Sequence, residues 1–440
     1  MKMQFTYPLK SKRRTYRFQA FFIAICVLAG VYGEKANAAT KITVGEAADY
    51  KTINEALISI PMGEFAEPMV VEIQAGVYAP FDTDPLSKLN KQPSRATKKN
   101  RLIIQAAPGQ EVIINHENAN PSFIRESHVT VQGIKFTGIK SNPNGYYLAI
   151  ADGGRDVDEN RRGGIIVQNC EFIGARGLKG WTPPKEENAA ALKNDGTLLN
   201  SYKEESGVDF SFAFVFNTIQ DFESHYEEPG ISALPQLHAG NLYCNWGALG
   251  GVSMFRPICR PDTGKRWYLN NTLYTKTGNL GGNLRITSAT PENVVFANNI
   301  TFWDSEVQNQ CYLQFDVVSE DGKFPVISKN LCFQAAPLNW GRIQGQLFSD
   351  ISAWNKKITS LGGPEENTED VDPIFVNAGQ SDFRLGAASP CINKADSEIW
   401  KTAIQAMGIG PDLNSYWNPA RDKGFQREDM KNLGAMKAAN

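Results

Sequence analysis

Apolar positions come in short runs rich in Val, Ile, Phe and Tyr, broken by Gly, Pro, Asn and Asp, a pattern that predicts strands rather than helices. The runs repeat. VQNCEF, VFNTIQ, AGNLYC, LNNTLY, ANNITF and SKNLCF carry Asn169, Asn217, Asn241, Asn271, Asn299 and Asn330, at separations of 48, 24, 30, 28 and 31 residues. That spacing suits one skipped anchor followed by single turns of variable loop length, and HVTVQGIKF (128–136) is the same unit with Gly133 at the anchor. A unit this small cannot bury its own apolar face, so the units are expected to stack into a solenoid. Asparagines at one corner of successive turns would bond amide to carbonyl from coil to coil, a structural role. One helix is predicted near the start: Ile53, Leu57 and Ile60 fall on one stripe, and Thr52 with Glu55 makes a capping box. It is expected to cover the open strand edges of the first coil.

Composition adds an address and a charge. The 440 residues are 42% hydrophobic and 21% charged, which suits a globular chain. Residues 1–38 hold seven Lys or Arg, one acid, an apolar run from Phe18 to Val31, and Ala36-Asn37-Ala38. This is the pattern of a secretory signal peptide cleaved after Ala38, so residues 39–440 are expected as an exported domain, periplasmic or secreted. Removing that segment takes the formal net charge from −2 to −8. An acidic surface argues against a nucleic-acid partner. No later apolar run reaches the roughly 20 residues of a membrane span. Cys170, Cys244, Cys259, Cys311, Cys332 and Cys391 remain, an even number that permits disulfides. They are scattered and include no C-x-x-C, so zinc is unsupported and core filling is the favoured reading.

On these units the chain resembles the pectin-lyase-like superfamily of right-handed parallel β-helix proteins, and in particular its bacterial polysaccharide lyases. ADYKTINEALISIP with VVEIQAGVYAP looks like their opening segment, RLIIQAAPGQEVII and SHVTVQGIKFTG like their first turns, and DVDPIFVNAGQSDFRLGAASPCINKA like their closing segment. NLGAMKA departs from the usual tail, D-x-GAYE. The resemblance implies an all-β fold: a single-stranded right-handed parallel β-helix solenoid over 39–440 with an N-terminal capping helix and a C-terminal closing segment. Such folds carry many chemistries, so function must come from the site.

The resemblance also implies three strands per coil, with the active site of carbohydrate-acting members on the face of the first strand. The expected first strands are YLAIA (147–151), GVDFSF (207–212), GISAL (230–234), GVSMF (251–255), NLRIT (283–287) and YLQFDVV (312–318). Strand alternation then points Val208, Phe212, Met254, Leu284, Ile286, Leu313 and Phe315 inward. Asp209, Ser211, Phe255, Asn283, Arg285, Tyr312, Gln314 and Asp316 would point outward, onto either a groove or an ordinary solvated sheet face. Arg285 and Asp316 fall on adjacent rungs and could meet. Asp209 and Asp316 lie four rungs apart, roughly 19 Å, too far for a glycosidase pair.

Arg256, Arg260, Lys265 and Arg266 form a basic cluster beside this face, with Asp262 its only opposing charge. It could hold an anionic sugar chain or be a solvated loop. A lyase must neutralise a uronate carboxylate before the neighbouring C5 proton can be removed. His225 and His238 are candidates for acid or base work. Tyr226, Trp246 and Trp267 could stack on sugar rings, or pack beneath loops. Calcium is a possible cofactor by the resemblance, and Asp152, Asp156 and Asp158 are nearby acids without a recognised calcium-loop spacing.

Three functions follow. The first is an exported polysaccharide lyase acting on an acidic, uronate-containing polysaccharide by β-elimination, with Arg285, Lys265 and His238 as catalytic candidates. Arg256, Asp209, Asn283, Gln314, Asp316, His225, Tyr226 and Trp246 would bind the substrate. The second is a glycoside hydrolase using loop acids among Asp221, Glu223, Glu227 and Glu228, and the third is a non-catalytic glycan-binding envelope protein. A pectin methylesterase is disfavoured, because the aspartate-bearing GYQDT and DFIFG motifs are missing.

Overall fold

The chain divides into residues 1–38 and 39–440. The computed structural model describes 39–84, 86, 95–117, 121–138, 146–150, 164–174, 190–194, 211–221, 234–244, 255, 257, 264–279, 284–286, 291–308, 311–316, 323–334, 339–410, 413, 424–426 and 430–439.

Each coil places one strand in each of two long sheets. The first sheet runs through ten strands in chain order, from Thr40–Val44 to Val326–Ser328, and the second through ten, from Gly76–Tyr78 to Thr368–Glu369. All neighbours within both are parallel, which requires a crossover between every pair, and the rest of the coil supplies it. A third face is described in two parts. One holds Ser122–Ile124, Tyr146–Ile150 and Ala190–Asn194; the other holds Leu284–Ile286, Cys311–Phe315 and Asn339–Ile343, ended by the antiparallel strand Gln346–Phe348. The architecture is a parallel β-helix.

The corner between the first and second sheets is built by one residue in the left-handed conformation. Gly133, Asn169, Phe216, Gly240, Asn270, Asn298 and Lys329 all have φ between 48° and 72°. Gly and Asn tolerate this region; Phe216 and Lys329 are held there by the coils on either side. The next residue carries the ladder. Asn217 Nδ2 donates to Asn241 Oδ1 (3.2 Å), Asn241 to Asn271 (3.1 Å), Asn271 to Asn299 (3.0 Å) and Asn299 to Asn330 (3.0 Å). Each Oδ1 also accepts the backbone N–H of the preceding asparagine, so the ladder satisfies buried backbone as well as itself. Asn169 is a correction: it occupies the left-handed row one residue earlier, and Cys170 N–H is what bonds to Asn217 Oδ1 (2.9 Å). Gly133 likewise belongs to the left-handed row.

The interior is a continuous apolar column. One register row of the first sheet reads Ile104, Val131, Val167, Phe214, His238, Tyr268, Phe296 and Ile327. Phe136 and Phe172 of the second sheet stack at 4.8 Å, so aromatic faces as well as aliphatic side chains repeat at the rung spacing. The capping helix spans Ile53–Ser59, with the Thr52–Glu55 box formed in both directions and Ile53, Ala56, Leu57 and Ile60 buried on the first coil. A buried ion pair, Arg95 to Glu126 at 2.6 Å, anchors its end, because Arg95 Nη1 also donates to Ile60 O. The five described cysteines, Cys170, Cys244, Cys311, Cys332 and Cys391, are buried, and no two of them are joined in a disulfide.

The C-terminal region does two separate things. The helix Ile351–Ser360 closes the last coil: Trp354 is fully buried, stacked with Phe315 at 6.2 Å and pressed on Gly341. The chain then returns along the outside. Trp400, Ala403 and Met407 of the helix Ser397–Met407, with Phe425 and Met430, bury the outer positions Ala213, Val215, Leu237, Trp267 and Leu269 of the first sheet. Asn270 Nδ2 donates to Met430 O and Asn432 O, fixing the tail to the left-handed row. The chain beyond Ser397 therefore lies against the flank of the first sheet.

Candidate functional site

The site sits on the last coils of the third face. In Leu284–Ile286 and Cys311–Phe315, Leu284, Ile286, Leu313 and Phe315 are buried in the interior, as alternation requires. The intervening positions form a register row, Arg285 beside Gln314 beside Arg342. Asp316 follows two residues after Gln314, with its N–H on Ile286 O (2.9 Å). Arg285 Nε donates to Asp316 Oδ2 at 2.9 Å and Nη2 reaches the same oxygen at 2.8 Å. Gln314 Nε2 donates to Oδ1 at 2.6 Å. Arg285 and Asp316 keep 34% and 26% of their side-chain surface accessible, so a ligand can reach the pair.

Burial alone would raise the Asp316 pKa, but hydrogen bonds from Gln314 and Arg285 and the charges of Arg285 and Arg342 outweigh it. The carboxyl is held below its usual range and is ionised at neutral pH. An accessible pair of this kind contributes at most about 1 kcal/mol to stability, so its main effect is to orient the guanidinium. Two arginines against one aspartate leave the cluster with one excess positive charge. Arg342 was not singled out from the sequence. Its signal was there: 285, 314 and 342 repeat at the spacing of the anchor asparagines.

Several expectations change. His238 is not in a groove. It occupies the interior row between Phe214 and Tyr268, fully buried and stacked on Tyr268 at 5.2 Å. Burial, with the nearby Arg266 charge, pushes its pKa down to about 3, so it is a neutral core residue. Arg266 is 1% exposed and donates to Leu234 O and Gly264 O, and Trp267 lies under the C-terminal tail; both leave the basic patch and the stacking set. Phe255 pairs in register with Leu284 and is buried against Tyr268 at 4.7 Å, one residue out of the expected register. Tyr312 is fully buried against Phe296 and Trp303. Phe212 opens a first-sheet strand, which puts Ser211 at the corner before it, accepting from Gly164 N–H.

Lys265 is exposed at the turn into Arg266–Leu269, its carbonyl accepting from Gln236 N–H. Asp209, His225, Tyr226, Glu223, Glu227, Glu228, Trp246, Arg256, Arg260 and Asn283 lie outside the described residues, as do Asp152, Asp156 and Asp158. Among the described residues no three His, Cys, Asp or Glu side chains group as metal ligands. Among them, too, no helix is long and apolar enough to cross a membrane.

No protein-family model matches the sequence, and no curated protein shows significant similarity to it. Solved structures do. A pectin methylesterase from Aspergillus niger aligns at 11% identity over 75% of this chain and 90% of its own, with a TM-score of 0.31. A pectin methylesterase in complex with a hexasaccharide aligns at 12% identity over 66% of this chain and 77% of its own, at 0.30. A PL6-family polysaccharide lyase from Pseudopedobacter saltans aligns at 11% identity over 81% of this chain and 98% of its own, at 0.30. Likenesses this distant carry no weight for activity, and the fold rests on the chain's own strand order.

Proposed function

We propose that this chain is an exported carbohydrate-active enzyme, a lyase that cleaves a uronate-containing polysaccharide by β-elimination on the third face. The observation that carries the reading is the accessible Arg285–Asp316 pair at 2.8 Å, with Gln314 and Arg342 in the same row. Arg285, held by Asp316, would pair with the substrate carboxylate and withdraw charge from it. The C5 proton then becomes acidic enough for a base to remove; its electrons form the C4–C5 double bond, and the C4–O bond breaks, leaving a hydroxyl once protonated. Lys265 is the described candidate for the base, and Arg256 is proposed for substrate binding. Calcium, where bound, would supply the same neutralisation of the carboxylate.

A hydrolase would instead need two carboxyls flanking the sugar, and Asp316 is already committed to Arg285 and Gln314. Incubation of residues 39–440 with a panel of acidic polysaccharides separates the readings. Ultraviolet absorbance rising with new reducing ends is expected. Reducing ends without absorbance would overturn the lyase in favour of a hydrolase, and binding without either would favour the non-catalytic protein.

A further inference from the structure

Gln314 stands between Arg285 and Arg342 in one register row, and its amide holds Asp316 in place at 2.6 Å. Asp316 thus lies within the field of two arginines, one from the coil before and one from the coil after. We infer that Arg342 determines specificity: with Arg285 it forms a two-arginine clamp for one carboxylate of the glycan, around Asp316 as internal counter-ion. The inference rests on the reading of this face as an acidic-glycan site.

The geometry supports it in three ways. First, the two arginines are two rungs apart, so their Cα atoms are separated by about 10 Å, a span that two long side chains can close on one anionic group. Second, Asp316 takes Nε and Nη2 of Arg285 on the single oxygen Oδ2, which fixes the guanidinium plane and leaves Nη1 to meet a further carboxylate. Third, Arg342 is exposed and makes no ion pair among the described residues, whereas Arg285 is already engaged with Asp316. One negative charge between two positive ones leaves the cluster able to take a single further anion. The row ends there, because Arg342 next pairs with Leu347 of the antiparallel strand, an exposed apolar residue that bounds the clamp.

The test is calorimetric binding of a uronate hexasaccharide and of its carboxyl-reduced counterpart to the wild-type 39–440 chain, Arg342→Gln and Arg342→Lys. Because Arg342 is exposed, both variants are expected to keep the wild-type unfolding midpoint. Arg342→Gln should weaken uronate binding about tenfold or more, as expected for losing a hydrogen bond to a charged group, and leave the reduced sugar within about twofold. Arg342→Lys should recover part of the loss. If the wild type prefers the uronate and Arg342→Gln binds it equally well, the clamp is wrong while the acidic-glycan reading stands. Equal losses for both sugars would assign Arg342 a structural role and also overturn it. Wild type that binds the reduced sugar as well as the uronate overturns the clamp and the reading beneath it together.

Discussion

Arg285 and Asp316, on neighbouring coils of the third face, meet at 2.8 Å with their side chains still partly open to solvent. Their positions follow from register: Arg285 is the outward residue between buried Leu284 and Ile286, and Asp316 follows buried Phe315. The same alternation that builds the core therefore builds the site. Substitutions in the two can be told apart by what they change.

Asn271→Ala tests the ladder. The Asn271 side chain accepts from Asn241 N–H and Nδ2 and donates to His238 O and Asn299 Oδ1, all at 3.0 or 3.1 Å. Truncation leaves buried donors and acceptors without partners, which should cost about 3 kcal/mol in urea unfolding. A loss below about 0.5 kcal/mol would mean that the ladder is dispensable.

Gly341→Ala tests the C-terminal closure. A methyl group there would overlap the Trp354 indole, so the helix Ile351–Ser360 must shift, at a cost of about 1–3 kcal/mol. Combining it with Trp354→Ala should cost less than the sum of the two single changes, because the smaller side chain makes room. Additive losses in thermal unfolding would separate the two residues.

Acid should weaken the fold through its buried histidines. Burial lowers the His116 pKa to about 4, against backbone hydrogen bonds that raise it, and burial with the Arg266 charge lowers that of His238 to about 3. Both are neutral in the fold, while the unfolded chain binds protons below about pH 6.5. Their contribution is complete above pH 6.5 and is lost as pH falls toward 4 and then 3, by about 1.4 kcal/mol per unit for each histidine. His238→Phe should flatten the slope of urea stability between pH 6 and 4 by about one proton. An unchanged slope would mean that His238 is protonated in the fold.

Most of the solenoid was legible in the sequence because its repeat is stereochemical. The asparagines at Asn217, Asn241, Asn271, Asn299 and Asn330 must fall at one corner to bond one another, and Thr52 with Glu55 marks the cap by spacing alone. What failed were positions where a polar type is no guide to side. Asn169 fits the left-handed corner as well as the ladder, and His238 and Arg266 are buried among aromatic rings and backbone carbonyls. Phe255 shows the cost of a one-residue register error, since alternation carries it to the opposite face. The burial of Trp267 depends on the tail returning along the flank, a long-range contact that no local pattern encodes. Arg285 was legible because it alternates with Leu284 and Ile286 in Leu284–Ile286, and Asp316 because it directly follows the inward positions Leu313 and Phe315.

The most direct test is the initial rate of unsaturated product formation, followed by ultraviolet absorbance on a uronate polysaccharide that the wild type cleaves, for wild type and Arg285→Ala at equal folded concentration. The account predicts a loss of at least about 100-fold in the variant, the scale of removing one charge-stabilising donor from a transition state. Arg285→Ala turning over at the wild-type rate would contradict it and move the chemistry away from this pair.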